Sequence, residues 1–214
     1  MTGPVELVKR WPCLMLLVVQ LAGVVLYPFM EGSYAGRAAF AVFGLLVLSL
    51  TVAALRVTPA LTWVGALIAL PCAVLLIASI ITGDQRLFPW SAGFEMVLYA
   101  YAGLSMLAYM LRDDRVSTDE WFAIPAVFTL FAWAFAYLFV VIQALDTGAF
   151  GAHSNWMGLL FLSFTTLSST GLSDIVPLTG HARSVVMLEQ VAGVFYIAMV
   201  VTRLVSMSAT RRRA

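Results

Sequence analysis

The sequence predicts an all-α integral membrane protein with six transmembrane helices and a shorter re-entrant segment between the fifth and sixth. Three observations carry this: an apolar composition, six apolar runs of spanning length, and one apolar run too short to span that passes into polar residues. Of 214 residues, 62% are hydrophobic and 11% charged, where soluble domains have about 45–50% and about 25%. So apolar a chain does not stay disordered. Its 12 basic and 11 acidic residues leave a net charge of +1, so no charge excess points to nucleic acid or another polyanion.

A membrane helix needs roughly 20 apolar residues to cross about 30 Å of hydrocarbon. The six runs are Trp11 to Met30, Ala38 to Val57, Leu61 to Thr82, Phe88 to Leu111, Trp121 to Leu145 and Arg183 to Met207. The first follows Lys9 and Arg10 without a small-residue cleavage site, which predicts a retained signal anchor. Basic residues collect in cytoplasmic loops. With both termini inside, Lys9, Arg10, Arg56, Arg112, Arg115, Arg203, Arg211, Arg212 and Arg213 are cytoplasmic, and only Arg37, Arg86 and Arg183 lie outside. That bias requires an even number of crossings, as six provides, and predicts a multi-pass protein of the plasma (inner) membrane with both termini cytoplasmic.

Two regions are expected: residues 1–115, a four-helix transmembrane region, and residues 116–214. A voltage sensor needs several arginines or lysines along one helix, whereas Glu95 is the only charge between Phe88 and Leu111. Cys13 and Cys72 fall in apolar runs and read as small hydrophobes. The inner loop from Arg112 to Glu120 mixes signs and reads as solvated. No paired carboxylates, metal-ligand cluster, Cys/His constellation or glycine-rich phosphate loop is present, so no enzyme and no cofactor is expected.

The short run Trp156 to Leu167 reads as a helix, with Ser154 or Asn155 as its N-cap. It leads into Ser168-Ser169-Thr170-Gly171-Leu172-Ser173-Asp174-Ile175-Val176-Pro177. Polar backbone at membrane depth survives only when buried in protein or lining a water-filled cavity, so residues 168–174 are expected to face a pore.

These residues resemble the pore domain of the tetrameric (P-loop) cation channel superfamily, and more closely a bacterial group of potassium-channel-like membrane proteins. The matching positions are Ser163-Phe164, Thr166-Leu167, Ser168-Ser169, Gly171 and Asp174-Ile175-Val176-Pro177, then Arg183-Ser184 and Met187-Leu188-Glu189. The resemblance covers about Trp121 to Met207. It implies a homotetramer in which residues 116–214 form outer helix, pore helix, selectivity filter and inner helix. Ser169, Thr170, Gly171, Leu172 and Ser173 then stand where the family has Thr-Val-Gly-Tyr-Gly, giving rings of oxygens to a dehydrated cation, with Thr166 and Ser168 supporting them. The short helix would aim the negative end of its dipole at the central cavity.

Two positions depart from that pattern. Ser173 replaces the second glycine, where a left-handed backbone costs a residue with a Cβ roughly 1–2 kcal/mol, so the outermost ring is expected to be remodelled. Leu172 replaces the tyrosine and cannot hydrogen-bond to the surrounding helix. The implied permeant ion is potassium. A weakly selective pore that also admits sodium is the alternative, as is a non-conducting sensor or assembly module on the same scaffold. The implied partners are three further copies of the chain and the lipid bilayer.

Several single residues keep two readings. Asp174 forms an acidic ring at the filter mouth, or pairs with Arg183 or caps the filter exit. Glu189, about two turns into the last span, is expected to brace the filter from behind through Ser or Thr hydroxyls of the short helix. Glu95 is a structural or a functional buried acid. Gly193 is a hinge or a close-packing site. Arg203 reaches the membrane surface along its stem. His153 and His181 are loop histidines or acidity sensors.

Overall fold

The computed structural model describes residues 11–30, 34–55, 62–112, 118–151 and 154–211. Among them seven α-helices follow in order: α1 (Pro12–Met30), α2 (Tyr34–Leu55), α3 (Thr62–Thr82), α4 (Phe88–Arg112), α5 (Thr118–Leu145), α6 (Trp156–Leu167) and α7 (Gly180–Arg211), with one 3₁₀ turn (Gln85–Leu87) before α4. All but α6 are long and apolar enough to cross a membrane. Several run past the apolar stretch that announces them: α2 starts at Tyr34, α5 at Thr118 and α7 at Gly180. A helix satisfies its own backbone, so it can continue beyond the hydrocarbon wherever the chain stays regular. His153, and Lys9, Arg10, Arg56, Arg115, Arg212 and Arg213 among the orientation charges, lie outside the described residues.

Helix α5 is the hub. It packs on α1, α4, α6 and α7, while α2 and α3 complete the outer layer against α1 and α4. In an 18-residue apolar stretch of α5, 61% of the residues are buried, against 22% for α7. Ala123, Ala126, Ala132, Ala134 and Ala136 are all buried along α5. Such small residues let neighbouring backbones approach, which is how helices associate where lipid offers no hydrophobic drive. The indoles of Trp63, Trp90 and Trp121 stand exposed near helix starts, the amphipathic placement favoured at head-group level.

Polar ties fix the register of this packing. The Thr129 hydroxyl of α5 lies 2.7 Å from Gln20 Oε1 of α1, both residues buried. At the far end of α5, Gln143 clamps the chain just before α6: its amide nitrogen donates to the Ser154 carbonyl and its amide oxygen accepts from the Ser154 N–H, each at 2.9 Å. The first residue of α6, Trp156, is buried in an aromatic nest, its ring centroid 5.1 Å from Tyr27 and Phe40, 5.2 Å from Trp133 and 5.8 Å from Tyr137. The short helix is thereby pinned to α1, α2 and α5 together.

Removing one partner of a buried hydrogen bond strands the other, at about 1–3 kcal/mol, whereas removing both is nearly neutral. Thr129→Val should therefore lower the melting temperature of the purified protein, and Gln20→Leu combined with Thr129→Val should recover most of the loss. Additive losses in the double variant would refute the pairing.

Candidate functional site

The residues that set α6 in place also shape the chain that leaves it. Asn155 caps the helix start, its side-chain oxygen accepting from the Gly158 N–H at 2.8 Å. At the other end the last residue is Leu167, the C-cap is Ser168, and Ser169 follows with φ +60°. The Ser169 N–H bonds the Thr166 carbonyl at 3.0 Å and the Thr170 N–H bonds the Thr165 carbonyl at 2.9 Å. These are the paired bonds of a Schellman motif with Ser169 at the left-handed position, normally a glycine.

The Thr165 carbonyl also receives the Gly171 N–H at 3.1 Å and the Thr170 hydroxyl at 3.2 Å. The Ser168 hydroxyl folds back to the Phe164 carbonyl at 2.7 Å. Thus the N–H groups of residues 168 to 171 all turn to the helix end. Among the described residues, no hydrogen bond ends on a carbonyl of residues 169–173. The amides are used and the oxygens are left over.

Gly171 follows with φ +66°, and Ser169, Thr170, Gly171 and Leu172 are exposed on the single chain. Ser173 is not left-handed, in line with the cost of that backbone for a residue with a Cβ; among the described residues the positive-φ residue with a side chain is Ser169, a position the sequence did not single out for strain. Ser173 instead accepts the Ile175 N–H on its hydroxyl at 3.1 Å, starting the return. Ile175 then packs over Gly158, where a Cβ would lie 2.5 Å from Ile175 Cδ1. Beyond it the Leu178 N–H reaches the Ala149 carbonyl at 2.8 Å. Asp174 is exposed beside this return, while Arg183 donates from Nε to the Pro177 carbonyl at 3.2 Å. His181 is exposed at the start of α7.

Behind the segment, α5, α6 and α7 meet at one buried point. The Ser163 hydroxyl of α6 lies 2.8 Å from the Ala132 carbonyl of α5 and is hydrogen-bonded to Glu189 Oε1 of α7; Ser163 and Glu189 are both fully buried. One turn further along α6, the Leu167 carbonyl rests on Gly193, where a Cβ would come within 2.0 Å of that oxygen. Gly193 thus serves close approach, and α7 runs on through it as helix. It lies 13 residues beyond Gly180, roughly 20 Å along the axis, so α6 ends deep against α7. The Tyr196 hydroxyl adds a bond to the Ile124 carbonyl of α5.

The structure brings Thr166, Ser168, Ser169, Thr170 and Gly171 together at the end of α6, and Glu189 and Gly193 behind it. Sequence reasoning passed over three participants. The Thr165 carbonyl acts through its backbone and so has no side-chain signal. Gln143 is a polar residue near the end of an apolar run, and Gly158 a glycine inside a short helix. Each of these two is a recognisable oddity whose partner only the fold reveals.

Residues 124–209, from early α5 to the last turns of α7, match a protein-family model described as an ion channel. No curated protein and no solved structure matches the chain. Six apolar helices together with this match support a multi-pass membrane protein that passes ions passively.

Gly193→Ala and Gly158→Ala should differ. The first drives a Cβ into backbone at 2.0 Å, and should cost at least the roughly 1–3 kcal/mol typical of overpacking. The second meets only the end of a movable Ile175 side chain and should cost less. Thermal unfolding of the two variants checks the order. For the junction behind α6, Glu189→Gln should retain near-normal stability by keeping a hydrogen-bonding group at Ser163. Glu189→Ala should lose about 1–3 kcal/mol, because it removes the tie between α6 and α7 and leaves the Ser163 hydroxyl only the Ala132 carbonyl of α5. Equal melting temperatures for the two would remove Glu189 as a brace.

Proposed function

We propose that this chain is one subunit of a homotetrameric channel for monovalent cations, with potassium the favoured ion and residues 169–173 its selectivity filter. The carrying observation is the division of labour in the backbone: the N–H groups of 168–171 are consumed by the end of α6, and the carbonyls of 169–173 receive no described hydrogen bond. Rings of such oxygens, one per subunit, replace the hydration shell of a permeating cation. The match to an ion channel model over residues 124–209 points the same way.

Symmetric assembly accounts for what a single chain leaves uncovered. On α7, Leu188 is 64% and Phe195 65% exposed, and Val191, Val194, Val201 and Val205 are exposed with them. Backbone at membrane depth needs protein or water around it, which further copies about a central axis provide for residues 169–172. In this reading α6 is the re-entrant pore helix, α7 the inner helix, and four Asp174 carboxylates ring the mouth and concentrate cations. Thr166, Ser168, Glu189 and Gly193 hold the filter from behind.

Weak discrimination against sodium is a second reading, and one observation favours it. Leu172 is 75% exposed and has no polar group to tie the filter wall to its surroundings, so the oxygen cage is held less rigidly than one fastened by hydrogen bonds.

Reconstitution of the full chain in liposomes tests both readings. With potassium on one side of the membrane and an equal concentration of sodium on the other, current should reverse far toward the potassium equilibrium potential for a selective pore and near zero for a weakly selective one. Gly171→Ala, which forces a Cβ onto a backbone at φ +66°, should abolish current while the protein still assembles, since the side chain meets no neighbour within the chain. Absence of flux from correctly assembled wild-type protein would leave the scaffold as a non-conducting module.

A further inference from the structure

A cavity of about 640 Å³ lies away from the candidate pore, between α1, α2, α3, α4 and α5 and the start of α6. That is within the size range of small-molecule sites, roughly 300–1,000 Å³. Its walls are mostly apolar and aromatic, among them Tyr27, Phe40, Leu76, Ile80, Val140 and Trp156. At one end stand Asp84 and Arg86, both exposed. Glu95, also lining it, sits seven residues beyond Phe88 on α4, roughly 10 Å further along the helix.

Glu95 is the anomaly. It is 1% exposed, with the Tyr137 hydroxyl and the Cys72 thiol beside its carboxyl, and its Oε2 has no hydrogen-bond partner among the described residues. A buried acceptor left unfilled costs free energy, and an acid kept inside a membrane bundle marks a site by default. The surroundings select what could complete it. An acyl chain would fill the apolar space but leave Oε2 unsatisfied. A free inorganic cation would satisfy Oε2 but leave the aromatic walls unused. An ammonium on an apolar body meets both demands, bonding Oε2 with its N–H donors and lying against rings whose faces attract cations.

We propose that this cavity binds a hydrophobic organic cation, an ammonium on an aromatic or aliphatic body, with Glu95 as its counter-group. The site is independent of whether residues 169–173 conduct. It also lies beside Trp156, the anchor of α6, so an occupant would touch the residue that positions the candidate filter.

The test uses the full chain in nanodiscs of zwitterionic lipid, with 4-phenylbutylamine as probe and 4-phenylbutanol as its neutral counterpart, followed by calorimetry. Wild type should bind the amine roughly tenfold or more tightly than the alcohol, the scale of a charge-assisted hydrogen bond. Glu95→Gln should erase that preference while keeping the alcohol's affinity. Gly44→Phe, filling the cavity from α2, should weaken both ligands, and carries the test alone should Glu95→Gln fail to fold. Equal binding of amine and alcohol to wild type would mean an apolar or lipid-filled space and overturn the proposal. An undiminished preference in Glu95→Gln, or full affinity in Gly44→Phe, would place the amine elsewhere and overturn it as well.

Discussion

A helix that stops between membrane-spanning neighbours must find partners for its last carbonyls and its first N–H groups, because lipid offers none. Helix α6 meets this demand at both ends from within the chain. Asn155 caps the start, and the finish is wrapped by the amides of Ser168, Ser169, Thr170 and Gly171. The shape of the following segment is a by-product of that wrapping. Once four successive N–H groups point back at the helix, the attached peptides are oriented, and their oxygens are left to whatever lies on the other side. The left-handed turn at Ser169 belongs to the same device, placing a residue with a Cβ where helices usually end on glycine.

The remainder of the bundle holds this helix end still. Gln143 fixes the approach to α6, Trp156 fastens its first turn among rings from α1, α2 and α5, and Ser163 ties its middle to both α5 and α7. The four outer helices are therefore more than a sleeve. Because α1 and α4 lie on α5 of their own chain, and Tyr27 and Phe40 touch Trp156 directly, a shift of α1 or α2 bears on α6 without passing through the segment 168–174.

Much of this architecture is legible in one dimension. The apolar lengths locate all six long helices, though α2, α5 and α7 run past them, and the run from Trp156 to Leu167 coincides with α6 at both ends, since a polar residue stands on either side of it. The Glu189 partner was half legible: a lone acid in an apolar helix needs a donor, and the short helix had hydroxyls to give. What escaped depends on contacts between distant segments. At Ser173, which stands in for a glycine, the left-handed backbone is avoided as its Cβ requires, but nothing in the sequence announced that Ser169 would adopt it, where helix termination demands it. Gly193 offered a hinge and a packing site with equal force until Leu167 was found against it. The cavity beside Glu95 is assembled from five helices and the start of a sixth, and has no linear signature at all.

The contact at Gly193 has a consequence for the gene. Glycine alone lacks a Cβ, so every missense change at that codon sets an atom in the same spot against a main-chain oxygen that cannot swing aside. Chemical similarity offers no gentle neighbour there, and drift through sequence space has no single step by which to leave that residue unless α6 and α7 first move apart.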